Sequence, residues 1–574
     1  MGEQKEKWFV SGKRADFQGI GKKFGIDQVT ARIIRNRDIV EEADIETYLR
    51  PDLSKLYSPH LMKDMDILVR ILKEVIQEER KIRIIGDYDI DGIQSTYILL
   101  KGIRRAGGNV TAAIPDRMKD GYGINENLIA KAKEDGAEVI LTCDNGIAAI
   151  DAIAYARDLG LTVLVTDHHD IPYRDEDGKR IYLRSRANAV VNPKQPECEY
   201  PFSGICGAVV AFKVVMALYE ACGISEREAF GFLENAAFAT VGDVMDLADE
   251  NRIIVKFGLE QMRNTENTGL AALMRVKEVY PDRLSAYHLG FVLGPCLNAS
   301  GRLDTAVRSL KLLLAETQEE AETLAKELAD LNEERKKMTV DGLSLALEEI
   351  ERKKIAEKNV MVVYLPNLHE SLAGIVAGRI REKFHHPVFV LTDSEEGVKG
   401  SGRSVEAYSM YEEMCKCGDL FLKFGGHPMA AGLTLPKEKV AEFTDRINGY
   451  ASLTPEDFIP KISIDVPMPL SYVTKELIQE LNVLEPFGKG NEKPVFADRN
   501  IRIRGRRIVG KNQNVVKLTL CDEMGNLYPA VYFGDVQEMM DYLDRREIIS
   551  IVYYPEINSY MGREEIQFVI SHYC

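Results

Sequence analysis

Residues 82–92 read Ile-Arg-Ile-Ile-Gly-Asp-Tyr-Asp-Ile-Asp-Gly, and the rest of the chain is arranged around them. A short apolar run that ends in glycine predicts a buried strand leaving its sheet. Asp87, Asp89 and Asp91 follow at alternate positions. Carboxylates this close repel one another, so keeping all of them ionised in a partly buried site raises their pKa values. A cation relieves that conflict, and hard oxygen donors favour Mg²⁺ or Mn²⁺. A solvated acidic loop accounts for the triplet equally well. A calcium loop of the EF-hand type does not, because Ile98 stands where that motif needs a bidentate Glu.

Two later stretches decide in favour of a metal. Residues 138–144 (Glu-Val-Ile-Leu-Thr-Cys-Asp) form an apolar run ending in an acid, and 161–169 (Leu-Thr-Val-Leu-Val-Thr-Asp-His-His) repeat the design with two imidazoles. Near-continuous Val/Ile/Leu runs mark parallel strands covered on both faces. In open α/β sheets ligands gather at the carboxyl ends of the strands. One sheet edge therefore receives Asp87, Asp89, Asp91, Asp144, Asp167, His168 and His169, and carboxylates with imidazoles at a single rim make a two-metal hydrolytic centre.

The chain has 574 residues, enough for several domains with separate cores. Its 45% hydrophobic and 29% charged content is that of a globular protein. No stretch approaches the roughly 20 apolar residues of a membrane span, and the polar N-terminus lacks a signal-peptide core. Nine cysteines without regular spacing predict reduced thiols and a cytoplasmic location. The net charge of −16 argues against nucleic acid as a partner, but the charge is unevenly distributed.

Residues 1–80 read as a helical lead-in packed on the first sheet, with helices over 29–36 and 67–79. Helix and strand patterns alternate from 91 to 166, broken by a polar loop with Arg117, Lys119 and Tyr122, which predicts a doubly wound parallel sheet. A further strand (189–193) and an apolar helix (207–220) follow. Asp243 lies in the apolar segment 232–247; it is either a further metal donor or an exposed helix-end acid. Residues 293–303, with Asn298 and Arg302, read as turn-rich. The helical pattern over 305–358, broken only near Asp341-Gly342, reads as a connector between two lobes or as a coiled-coil hairpin.

A second α/β unit opens at 360. Arg379, Arg403 and His427, among glycines at 400, 402, 425 and 426, suit phosphate binding or ordinary turns equally. His385-His386 lacks a preceding acidic strand and reads as surface. After a linker at 453–460, short strands with one helix (536–543) predict a small OB-like barrel. Residues 499–517 carry Arg499, Arg502, Arg504, Arg506, Arg507, Lys511 and Lys517 and no acid. Alternation puts Arg502, Arg504 and Arg506 on one strand face, either as a track for single-stranded nucleic acid or as charges guarding an edge.

Asp87-Tyr88-Asp89-Ile90-Asp91-Gly92, Asp144-Asn145-Gly146, Asp167-His168-His169 and Asp243 resemble the four motifs of the DHH phosphoesterases. Asn192-Pro193-Lys194-Gln195, Cys206-Gly207-Ala208, Asn298-Ala299-Ser300-Gly301-Arg302-Leu303, Gly425-Gly426-His427 and Glu485-Pro486-Phe487-Gly488-Lys489-Gly490-Asn491 are similar to the single-stranded-DNA-specific exonucleases of that superfamily. The likeness runs in order from about residue 80 to the C-terminus. It implies a DHH catalytic domain (81–304), a connecting helix (305–358), a smaller α/β DHH-associated domain (359–452) and an OB-like domain (461–574). It also implies 5′-to-3′ degradation of single-stranded DNA to mononucleotides in recombination and repair, with a helicase and a single-strand-binding protein as associates.

By motif matching, Asp87, Asp89, Asp91, Asp144, His168 and Asp243 hold two divalent cations, Mn²⁺ or Mg²⁺, with Asp144 bridging. Asp89, Asp91, Asp144 and His169 serve catalysis, His169 touching the scissile phosphate. Asn298, Arg302, Arg379, Arg403, Ser404, Gly425, Gly426 and His427 bind substrate. Asp246 departs from the family's usual proline, Gly242 from alanine and Ile85 from a frequent histidine, but no carboxylate is lost. A phosphoesterase for small nucleotides or short RNA needs neither the barrel nor this length, and a non-catalytic scaffold has no need of six clustered donors.

Overall fold

The computed structural model describes residues 6–574 apart from 118–119, 122, 177–178, 511 and 561. Lys119, Tyr122 and Lys511 thus lie outside the described residues. Strands Val110–Ala113, Ile82–Ile85, Val139–Cys143, Thr162–Thr166 and Ala189–Val191 lie side by side in that order, all parallel. Helices Met65–Gln77, Ile90–Arg105 and Gly207–Cys222 cover one face, and Glu126–Glu134 and Ile150–Asp158 cover the other. Cover on both faces is why every residue of Val139–Cys143 is apolar or small and buried.

The second lobe is a five-stranded sheet in the order Lys423–His427, Ala430–Leu435, Gly397–Arg403, Val388–Ser394, Met361–Tyr364. Only its last pair is parallel. Helix Ala373–Phe384 packs between this sheet and the end of the long helix Gln318–Arg352. At the C-terminus, Phe496–Val509, Val515–Cys521, Leu527–Tyr532, Arg563–Tyr573 and Ile548–Tyr560 pair in turn, and the last returns to the first to close a five-stranded barrel. Among the described residues no helix is long and apolar enough to cross a membrane.

The structure corrects four expectations. Of the N-terminal lead-in, only the part from Leu53 onward joins the first sheet's core, chiefly through Met62 and helix Met65–Gln77. Val29, Ile33, Ile34, Ile45, Tyr48 and Leu49 instead pack with Leu477, Leu481 and Leu484 on the barrel's core. The lead-in is also not wholly helical, since Lys7–Val10 pairs in parallel with Lys461–Ile464. The second correction is the break in the connector, which falls between Val307–Leu314 and Gln318–Arg352 rather than at 341–342. The helix runs unbroken through Gly342, whose lack of a side chain makes room for Leu368, Cδ1 of which lies 2.7 Å from where a Cβ would stand. Third, residues 294–303 form a helix, not a turn-rich loop. Pro295 sits in its first turn, where no amide is needed, and Gly301 lets the helix approach Tyr88 O, 2.4 Å from where a Cβ would stand. Fourth, the sequence pattern predicts separate short strands over 495–497 and 501–504, but both belong to the one long strand Phe496–Val509, whose pairing is irregular between Asp498 and Ile501.

Candidate metal centre

Strand Ile82–Ile85 has a neighbour on each side, and the chain leaves it toward one and returns on the other. That reversal opens a crevice at the carboxyl edge, where ligands of open α/β sheets bind. Asp87 and Asp89 enter the crevice directly after this strand. Asp89 caps helix Ile90–Arg105, its Oδ1 accepting the amides of Asp91 and Gly92 at 3.0 and 3.1 Å. Asp144 follows Val139–Cys143 in a left-handed conformation (φ 60°) that turns its carboxylate back over the edge. His168 and His169 follow Thr162–Thr166.

His168 Nε2 lies 3.1 Å from Asp144 Oδ1, 3.4 Å from Asp91 Oδ2 and 3.8 Å from Asp243 Oδ2. Donor atoms of Asp87, Asp89 and Asp144 fall within 4.8 Å of one another, as do those of Asp91, His168 and Asp243, and those of Asp144, His168 and His169. Asp144 and His168 each belong to two of these groups, so the groups form one continuous centre. Asp91 is fixed from behind, its oxygens accepting the Gly207 and Ala208 amides at 2.6 and 2.7 Å.

Asp167 stands apart from these groups. Its Oδ1 accepts the amides of His168 (2.7 Å) and His169 (3.1 Å), and its Oδ2 accepts the Ile147 amide (2.8 Å). His169 Nδ1 lies 2.8 Å from Asp167 Oδ1. The first acid of this motif therefore orients the His169 imidazole and pins the His168–His169 backbone.

Burial, and then the charge of Asp89, pushes the Asp87 carboxyl up to about 8. Burial and Asp91 do the same for Asp243, also to about 8. Asp89 and Asp144 rise for the same reasons, burial first and neighbouring carboxylates second. Burial lowers His168, which keeps its imidazole neutral and able to donate a lone pair. At His169 burial opposes the proton, but the hydrogen bond and charge of Asp167 win, and its pKa rises to about 9. The protein thus places more negative charge here than it can hold ionised by itself. Hard carboxylate oxygens with neutral imidazole fit Mn²⁺ or Mg²⁺.

A cleft of about 400 Å³ separates this edge from the second lobe, lined by Tyr88, Arg117, Ser371, Lys399, Ser401 and Gly425 among others. Arg302 links the lobes beside it, donating to the carbonyl of the cleft residue Ser371 at 2.8 Å. Burial, with the charges of Arg117 and Arg335, pushes the Arg302 guanidinium down to about 10. Cations gathered in this way are stabilised by an anion. Arg403 lies half-buried behind the cleft, donating to Gly402 O at 2.8 Å; Gly374 makes room for it, since a Cβ there would stand 2.9 Å from Nη2. His427 ends strand Lys423–His427 and faces the first lobe: Asp170, lowered chiefly by its hydrogen bond to Lys194, also feels His427. Gly426, at φ 154°, opens the backbone where a Cβ would meet Ala430 O at 2.5 Å.

Other expected substrate residues are placed differently. Ser404 is buried and spends its hydroxyl on Tyr408 O at 2.5 Å, so its turn uses the group and Ser401 lines the cleft instead. Arg379 is exposed and paired with Glu382 at 3.1 Å, where it adds to the field around Arg335. Asn298 sits on helix Gly294–Leu303, and its Oδ1 is buried without a hydrogen-bond partner among the described residues. Arg502 and Arg504 are exposed, whereas Arg506 is tied to Asp544 at 2.5 Å. The pairing shifts by one residue between Ile503 and Gly505, so Arg502, opposite Cys521, and Arg506, opposite Leu518, do not share the strand face that simple alternation predicts. Arg117, read from the sequence only as part of a polar loop, and Lys399, on strand Gly397–Arg403, are further cleft cations, and no local signal marks either as a phosphate contact. A second cleft, of about 790 Å³, runs from Val244 beside the metal centre to Phe487 and Lys493 before the barrel, past Tyr287 and Phe291. Those two rings stack at 5.2 Å and are 62% and 71% exposed.

The model of the DHH family, N-terminal domain, matches residues 81–239, that of the DHHA1 domain 357–453, and that of the RecJ OB domain 464–572. The single-stranded-DNA-specific exonuclease RecJ of Bacillus subtilis (strain 168) is 36% identical over 574 residues, covering 99% of this chain and 70% of that protein. The chain belongs to the RecJ family. RecJ of Salmonella typhimurium (strain LT2) is 32% identical over 581 residues, covering 94% of this chain and 98% of that protein. The crystal structure of RecJ from Thermus thermophilus in complex with Mn²⁺ matches with a TM-score of 0.84 at 25% identity, covering 100% of this chain and 80% of that one. The RecJ architecture of DHH lobe, DHHA1 lobe and OB barrel is thus the one seen here.

Proposed function

We propose that this RecJ-family chain is a metal-dependent exonuclease that degrades single-stranded DNA from its 5′ end to mononucleotides. The observation that carries this reading is the convergence of Asp87, Asp89, Asp91, Asp144, His168 and Asp243 on one sheet edge. The curated relatives are named single-stranded-DNA-specific exonucleases, and the Thermus structure holds Mn²⁺.

Asp87, Asp89, Asp91, Asp144, His168 and Asp243 would hold two divalent ions, with Asp144 between the two sets. Such ions, when bound, polarise the phosphodiester and lower the pKa of a water so that it attacks in line. The rest of the work falls to the chain's own groups. Asp167 keeps His169 protonated and aimed, so that its imidazolium can donate to a non-bridging oxygen of the scissile phosphate. Arg302 and Arg117 receive a phosphate in the inter-lobe cleft, whose second-lobe side is lined by Lys399, Ser401 and Gly425, with Arg403 behind it and His427 facing the first lobe. Asn298 stands one turn before Arg302 on the same helix. A cleft walled by two lobes, of about 400 Å³, suits a single strand rather than a duplex. Tyr287 and Phe291 offer ring faces to bases on the way from the barrel, where Arg502 and Arg504 hold the backbone.

The reading places the protein in the cytoplasm, acting in recombination and repair beside a helicase and a single-strand-binding protein. It is tested with 5′- and 3′-labelled single strands and matching duplex in Mn²⁺. Mononucleotide release from the 5′ label of the single strand alone is expected. Equal attack on duplex, or release that starts from the 3′ end, would overturn it.

A further inference from the structure

Asp243 differs from the other donors of the centre. It comes from the end of helix Leu233–Gly242 rather than from a sheet edge, and its side chain is 30% exposed against 7% for His168. The chain reverses directly after it. Asp243 and Met245 return their amides to Ala239 O and Thr240 O at 2.8 and 3.0 Å. Val244 takes the left-handed position of this helix cap, with φ 56°. That position favours glycine, and a β-branched residue there is strained. Contacts from outside the helix must therefore hold the reversal in place.

Those contacts come from the distant turn that leads into the barrel. The Leu247 amide donates to Lys489 O at 2.7 Å, and Lys489 Nζ pairs with Asp246 Oδ1 at 3.1 Å. A Cβ on Gly488 would stand 2.7 Å from Leu247 Cδ1, and one on Gly490 (φ 72°) 3.0 Å from Asp246 Cβ. Gly488 and Asn491 close the turn by exchanging amide hydrogen bonds of 3.0 and 3.1 Å. The turn is itself anchored. The Asn491 side chain, 1% exposed, donates to Leu484 O and Pro486 O, both at 2.8 Å. It accepts from Tyr48 Oη at 2.7 Å and Arg37 Nε at 3.0 Å, on the N-terminal helices. On the opposite side of the reversal, the buried Asn251 donates to Asp246 O at 3.0 Å and Gly204 O at 2.7 Å.

We infer that the turn 488–490 is a positioning element for the metal donor Asp243, so that divalent-ion affinity depends on how the barrel is seated against the first lobe. The inference rests on the metal-centre reading given above. Lys489 and Gly490 act through the 244–247 loop and need not touch substrate. By linkage, a strand that draws the barrel onto the lobe tightens ion binding, and an ion tightens strand binding by the same factor.

The test measures Mn²⁺ binding to metal-free, full-length protein without DNA, by electron paramagnetic resonance of the free ion. Gly490→Ala forces a Cβ onto Asp246, and Lys489→Glu sets a like charge beside it. Both should weaken the looser Mn²⁺ site by about 10- to 100-fold. The swap Asp246→Lys with Lys489→Asp should recover the loss caused by Lys489→Glu. Wild-type Mn²⁺ affinity in both folded single variants would overturn the inference, as would a swap that recovers nothing. If Gly490→Ala fails to fold, the Lys489 pair decides alone. Asp243→Asn separates the two levels. If it binds Mn²⁺ like wild type, the metal-centre reading fails; if it weakens binding while the turn variants do not, only the positioning role falls.

Discussion

Adding one methyl group at Gly207 should disable the centre while leaving the fold intact. Gly207 opens helix Gly207–Cys222, and its amide donates to Asp91 Oδ2 at 2.6 Å. A Cβ there would stand 2.8 Å from Asp144 Cβ and 3.0 Å from Asp91 Oδ2. Ordinary contact needs about 3.4–4 Å, so both carboxylates must move by several tenths of an ångström. Neither can do so freely. Asp144 is held at φ 60° at the end of a buried strand, and Asp91 is gripped by two amides. Ala itself suits a helix start, so the backbone cost is small. Overpacking of this kind costs about 1–3 kcal/mol, and here it falls on the gap between two metal donors. Gly207→Ala should therefore lose about 10- to 100-fold in Mn²⁺ affinity, with a comparable loss of turnover at fixed Mn²⁺. Metal titration of the stripped protein, with turnover on a 5′-labelled single strand, reads both. A folded variant with wild-type affinity and turnover would refute the idea that the Gly207 cradle sets the Asp91–Asp144 spacing.

Asp144→Asn should abolish hydrolysis while single-stranded DNA is still retained in a filter or gel assay, since the basic cleft and barrel remain; turnover within tenfold of wild type would contradict the proposed place of Asp144 in the metal centre. In metal-free protein, Asp87 and Asp243 carry folded pKa values of about 8, above the ordinary carboxylate value of 3.8. Stability from their protonated forms is fully present below about pH 4 and is lost as pH rises through about 8. EDTA-stripped protein should thus melt lower at pH 8.5 than at pH 6. Mn²⁺ should raise the midpoint more at the higher pH, with protons released on binding, and a pH-independent Mn²⁺ shift would count against this. In the barrel, Arg502→Ala or Arg504→Ala should each lower the salt slope of DNA binding by about 1. Arg506→Ala should change it less, because Asp544 already neutralises that guanidinium; equal slopes for all three would refute the distinction.

Much of this molecule is legible from local pattern alone. Apolar runs such as Ile82–Ile85, Val139–Cys143 and Thr162–Thr166 announce strands buried on both faces, and an acid placed directly after each announces the carboxyl edge as a site. Both signals arise within a few residues, where strand burial and chain direction are fixed. The resemblance at the DHH motifs then supplied Asp243, which its own segment left open.

What the tertiary structure decided is everything that depends on which distant surface covers a given face. The apolar stripes of Val29–Ile34 and Ile45–Leu49 look the same whether they meet the first sheet or the barrel, and only packing shows that they meet the barrel. Asp167 reads like its neighbours in sequence, yet three backbone amides claim it and withdraw it from the donor groups. Ser401 and Ser404 are equivalent until strand pairing turns one toward the cleft and the other into a turn. The hold of Lys489 on the Asp246–Leu247 loop joins segments far apart in sequence, because chain closure brings together groups whose spacing carries no local period.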